Sequence, residues 1–118
     1  MHGFKALPLV LSIIFFGCSN NSTADLIGET PDVVRYSAHV QPVISANCTV
    51  CHNNPPLYGA PISLTSYEHV RTAILEHGLL DRISRPQGAP GMMPNGGTRL
   101  PQATIDLLVQ WEADGFQQ

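Results

Sequence analysis

A chain of 118 residues is long enough for one compact core and too short for two. Its formal net charge is −3, its sequence pI is near 5.9 and its Lys and Arg residues form no cluster, which excludes the electrostatic footprint of a nucleic-acid binder. Ten prolines and ten glycines among few periodic apolar segments predict short elements joined by long loops, with a core that needs more than its own side chains to fill it.

The opening, MHGFKALPLVLSIIFFGCSNN, has Lys5, an apolar run from Ala6 to Phe16, and Gly17 immediately before Cys18. The run is too short to span a bilayer and has the layout of an export signal. Its stop at Gly-Cys resembles the bacterial lipoprotein signal, in which the chain is cleaved before the cysteine and the new N-terminus is lipidated. The expectation is a signal peptide over 1–17, a lipid anchor on Cys18, and localisation in the periplasm or cell envelope. A plain secretory signal with a leftover thiol is the alternative. Residues 18–35 begin polar and Asn/Ser-rich and contain Pro31, a composition suited to a flexible tether, which leaves 36–118 as the folded domain.

Val40, Val43 and Ile44 share one helical face and predict a helix starting near Ala38, with Pro42 in its first turn. NNPPLYGAPISL, residues 53–64, holds three prolines and a glycine and reads as a wrapping loop. Thr65 and Glu68 form a T-x-x-E capping box ahead of a helix of roughly Ser66 to His77, stopped by Gly78, with an apolar face of Tyr67, Val70, Ile74 and Leu75. Leu79, Leu80 and Ile83 predict a further helical turn. SRPQGAPGMMPNGGTR then forms a second loop, with Met92 and Met93 near its middle. The last helix is expected from Pro101 to Asp114, carrying Ile105, Leu108, Val109 and Trp111, with Gly115 past its end. No strand-like alternation and no internal repeat is visible. The predicted fold is all-α, with three to four short helices and long ordered loops.

Cys48, Cys51 and His52 fall within CTVCH, the haem-attachment pattern. Two thiols on one helical turn reach the two vinyl groups on one porphyrin edge, and the adjacent histidine presents an imidazole nitrogen to the iron. A structural zinc site normally needs four N or S ligands, and the chain has no second cysteine pair. A thioredoxin-like pair belongs in a βαβ context that is absent here. A disulfide or a chance occurrence in an exported domain is the third alternative. Covalent haem attachment takes place outside the cytoplasm, in keeping with the export signal.

VQPVISANCTVCH, ISLTSYEHV, MPNGG and LPQATIDLLVQWEADG occur in this order between Tyr36 and Gly115. In them the chain resembles a small bacterial class I monohaem cytochrome c domain. The resemblance implies a cytochrome c-like fold around one covalent haem c, with thioethers at Cys48 and Cys51 and His52 as proximal iron ligand. It implies Met93 of Met93-Pro94 as distal ligand, with Met92 as the alternative. Leu64, Tyr67, Leu100 and Trp111 become possible haem-pocket residues, for which plain core packing is an equal reading. His39, His69 and His77 are expected to face solvent.

The functional expectation is an extracytoplasmic electron carrier that is not itself an enzyme, cycling between Fe(III) and Fe(II). It would serve redox partner proteins, reach the membrane through its lipid anchor and bind no nucleic acid. The alternatives are a haem-based small-molecule sensor or peroxidase-like domain with a displaceable sixth ligand, and a subunit of a larger extracytoplasmic complex.

Overall fold

A computed structural model of the chain describes residues 30–118. The expected signal segment 1–17, the lipidation site Cys18 and most of the 18–35 tether lie outside the described residues. Among the described residues the fold is all-α and contains no strand. A wide π-helical turn, Tyr36–Val40, runs straight into α1 (Gln41–Asn47), followed by α2 (Tyr67–His77), α3 (Leu79–Ser84) and α4 (Gln102–Ala113).

The first helix differs from its expected start near Ala38. The Val40 N–H donates to Arg35 O at 3.3 Å and the Gln41 N–H to Tyr36 O, so both bonds reach five residues back. Pro42 is the second residue of α1 and has no N–H to donate. In a regular helix its ring would press on the carbonyl of Ala38, and the wide turn just ahead of it relieves that contact.

At α2 the cap lies one residue later than the T-x-x-E pattern predicts. Ser66 is extended (φ −142°, ψ 163°) and its side chain accepts the His69 N–H at 3.2 Å, satisfying one of the free donors of the first turn. Thr65 Oγ1 instead lies 3.3 Å from His69 Nδ1. Val70, Ala73 and Ile74 form the buried face, whereas Leu75, expected on it, is exposed. Gly78 takes a left-handed φ of +65°, which ends α2 and lets α3 begin in the next residue.

Pro101 stands just outside α4, and its carbonyl accepts the N–H groups of Thr104 and Ile105 at 3.0 and 3.2 Å. Ile105, Leu108 and Trp111 enter the core, while Val109 faces solvent. α4 packs against α3 and the wide turn. The last interface is aromatic, with Trp111 ring centroids 5.6 Å from Tyr36, 5.7 Å from Tyr67 and 4.9 Å from Phe116.

The segment after α4 folds back over this cluster. Gln117 O accepts both the Tyr36 N–H and Trp111 Nε1–H, each at 2.8 Å, and Asp114 Oδ2 accepts the Val34 N–H at 2.7 Å. The two ends of the folded region are thereby joined through backbone polar groups that would otherwise be stranded beside a buried ring.

Candidate functional site

CTVCH occupies the turn that leaves the C-terminus of α1. Cys48 N–H donates to Ile44 O at 2.8 Å, and the N–H groups of Cys51 and His52 both donate to Cys48 O, at 3.2 and 2.9 Å. The 53–64 loop is tied back on this turn by Leu57 N–H to Cys51 O and Leu64 N–H to His52 O, both 2.8 Å. That loop also supplies a carbonyl to the histidine ring, with His52 Nδ1 2.8 Å from Ile62 O. A carbonyl only accepts, so Nδ1 carries the proton, and in the neutral ring the lone pair is left on Nε2. The imidazole is oriented and its tautomer is set by a group outside the site, as is usual for metal-binding histidines.

Cys48, Cys51 and His52 line a cavity of about 460 Å³, within the roughly 300–1,000 Å³ range of ligand and cofactor sites. Leu64, Leu79 and Ile83 give it apolar wall, and Met93, Pro94 and Asn95 bring in the second loop. No Asp or Glu lines it; His77 and Arg82 do. Cys48 and Cys51 are free thiols, each half-buried. Burial, and secondarily the neighbouring Cys51, push the Cys48 thiol up to about 11. Among the described residues no three His, Cys, Asp or Glu side chains come together to hold a metal ion, so the zinc reading lacks its remaining ligands.

The two methionines are separated by the fold. Met93 borders the cavity, and its N–H donates to Arg82 O at 3.1 Å, which fixes the loop to α3. Met92 is buried at 5% exposure and lines a different pocket with Gln87 and Asn95–Gly97. The loop is further braced where Arg99 Nε donates to Arg85 O at 3.1 Å and Arg99 N–H to Gln87 Oε1 at 2.6 Å.

Of the four possible pocket residues, Leu64 lines the cavity and Tyr67, Leu100 and Trp111 do not. Tyr67 and Trp111 are taken up by the aromatic cluster, with the Tyr67 hydroxyl donating to Phe116 O at 2.9 Å, and Leu100 is buried in the main core. Leu79 and Ile83 also line the cavity; their i, i+4 spacing marked a helical face without showing what that face covers. Tyr58, Arg82 and His77 at the cavity were also not foreseen as site residues; no sequence signal distinguishes them from ordinary exposed side chains. His39 Nδ1 accepts the Arg35 N–H at 2.9 Å, and neither His39 nor His69 lines the cavity.

No protein-family profile and no solved structure matches the chain. Hydrazine synthase subunit alpha from Kuenenia stuttgartiensis is 30% identical to it over an alignment of 111 residues. The alignment covers 87% of this chain and 13% of that protein, so the chain spans about an eighth of the relative's length. The expectation of a protein outside enzyme function is corrected by this match, because the relative is a subunit of an enzyme.

Proposed function

We propose that residues 36–118 are a cytochrome c domain holding one haem c, joined by thioethers at Cys48 and Cys51, with His52 and Met93 as iron ligands, and that it transfers electrons in the service of a redox enzyme. The observation that carries this reading is a single cavity bordered by both thiols and His52 from one turn and by Met93 from a separate loop. When bound, the haem supplies a one-electron Fe(III)/Fe(II) couple.

The residues present fit that group. His52 offers Nε2, because Nδ1–H is engaged by Ile62 O. Met93 offers a soft, neutral thioether, which favours reduced iron relative to a second histidine. Leu64, Leu79 and Ile83 offer the porphyrin an apolar wall. Arg82 and His77 with no lining carboxylate suit a ligand with acidic substituents.

The relative's identity as an enzyme subunit supports placing the domain within or beside a larger redox assembly. The Gly17-Cys18 signal supports export to the periplasm or cell envelope and a lipid anchor.

The test is a visible spectrum of the protein made with the bacterial haem-attachment machinery, oxidised and dithionite-reduced, with and without carbon monoxide. A six-coordinate c-type spectrum with a far-red sulfur-to-iron band and no response to carbon monoxide supports electron transfer. A carbon monoxide shift without that band favours a ligand-binding sensor or peroxidase-like domain. Absence of covalent haem overturns both.

A further inference from the structure

The stretch from Pro86 to Gly91 has no regular structure and contributes no buried side chain; packing resumes at Met92, and Gln87 joins the stretch to Gly97 and Arg99. It is also held from α3. Arg82 lies in the last turn of that helix, and Arg85 is the extended residue that caps its C-terminus. Arg85 lays its Nε and Nη2 on Asp81 Oδ2, at 3.1 and 2.6 Å, which leaves Nη1 to donate to Pro90 O at 2.7 Å. Arg82 Nη1 donates to Gly91 O at 3.3 Å, and the Arg82 carbonyl accepts the Met93 N–H at 3.1 Å. Three backbone groups within four residues, ending at the methionine itself, are thus fastened to α3 and its C-terminal cap.

Gly91 shows that the fit is close. It lies at φ +74°, where L side chains are strained, and a Cβ on it would collide with Arg85 Nη1 and come within 3.1 Å of Arg82 Nη1. A side chain there would push the guanidinium tips off their carbonyls.

We propose that Arg85, aimed by Asp81, is a positioning residue for Met93: it ties Pro90 to the end of α3, beside the bonds that Arg82 makes to Gly91 and Met93, and so governs how readily the Met93 side chain leaves the cavity. The proposal rests on reading Met93 as an iron ligand. The fork geometry matters more than the charge. A lysine ammonium reaches Asp81 or Pro90 O but does not reproduce two donors on one and a third on the other.

Native holoprotein is compared with R85Q, R85K and D81N by titrating the ferric form with imidazole, which binds iron only when the sulfur departs, and by following amide hydrogen exchange at Met93. R85Q is expected to bind imidazole roughly tenfold more tightly and to lower Met93 amide protection, since a charge-assisted hydrogen bond three residues before Met93 is removed and the Met93–Arg82 bond then opens more often. R85K and D81N are expected to show smaller changes in the same direction. Imidazole affinity within twofold of native in R85Q, with the Met93 amide still protected, overturns the proposal even if the melting temperature falls. If R85Q does not fold, R85K and D81N decide by the same two readouts. A native protein without the far-red band refutes the ligand reading instead, and the clasp is then judged on Met93 exchange alone.

Discussion

Met92 and Met93 are chemically identical neighbours with opposite surroundings, which makes them the sharpest pair of probes at the residue scale. Met93→Ala removes a side chain that borders the cavity with His52, and is expected to abolish the far-red band and let carbon monoxide bind the reduced protein. Met92→Ala is expected to keep the band while lowering stability by about 2–4 kcal/mol in denaturant unfolding, because Met92 is buried away from that cavity. The opposite result would assign the ligand to Met92. Cys48 gives a second probe. Its thiol is held up to about 11, so in the haem-free protein it stays protonated at neutral pH, and thiolate is the reactive form. Alkylation at Cys48, followed by peptide mass spectrometry, is expected to be slower than for a free cysteine at pH 8. Its rate should climb about tenfold per pH unit until the thiol titrates.

At the scale of elements, helix positions were legible and their faces less so. CTVCH, the Gly78 stop and the all-α pattern are local properties of the chain, set by side-chain chemistry and backbone freedom at single positions. Caps and faces depend on neighbours. Thr65 and Ser66 both satisfy the sequence rule for a helix start, and only the backbone path shows that Ser66 is extended and accepts the His69 N–H. Ser66→Ala is therefore expected to cost about 1 kcal/mol in thermal unfolding, against less than about 0.5 for Thr65→Ala. Equal losses would return the cap to Thr65. The same limit explains why Leu75 and Val109 were expected inside and are exposed: helical periodicity gives an arc, and the packing partner decides its edges. It also explains α3. Leu79 and Ile83 read as one face, but that this face borders the cavity is a tertiary fact, carried by the return of the chain after α2. The wide turn at Tyr36–Val40 had a visible cause in Pro42, although periodicity alone does not distinguish a widened turn from a later helix start.

At the scale of the whole molecule, the aromatic cluster and the cavity are separate centres, and this separates stability from ligation. Trp111 is fully buried, touches Tyr36, Tyr67 and Phe116, and donates its indole N–H to Gln117 O, so it joins the first turn, α2, α4 and the final segment in one contact set. It does not line the cavity. Trp111→Ala is expected to cost about 3–5 kcal/mol, measured as a lower denaturant midpoint of the holoprotein, because it opens a cavity where four elements meet. Tyr67→Phe keeps the ring and removes only the bond to Phe116 O, for an expected loss of about 1 kcal/mol. Both variants, studied below their midpoints, should retain the native visible spectrum and far-red band. If Trp111→Ala also weakens that band while still folded, the two centres are coupled through α4, and Trp111 regains the cofactor-side role that the family resemblance suggested for it.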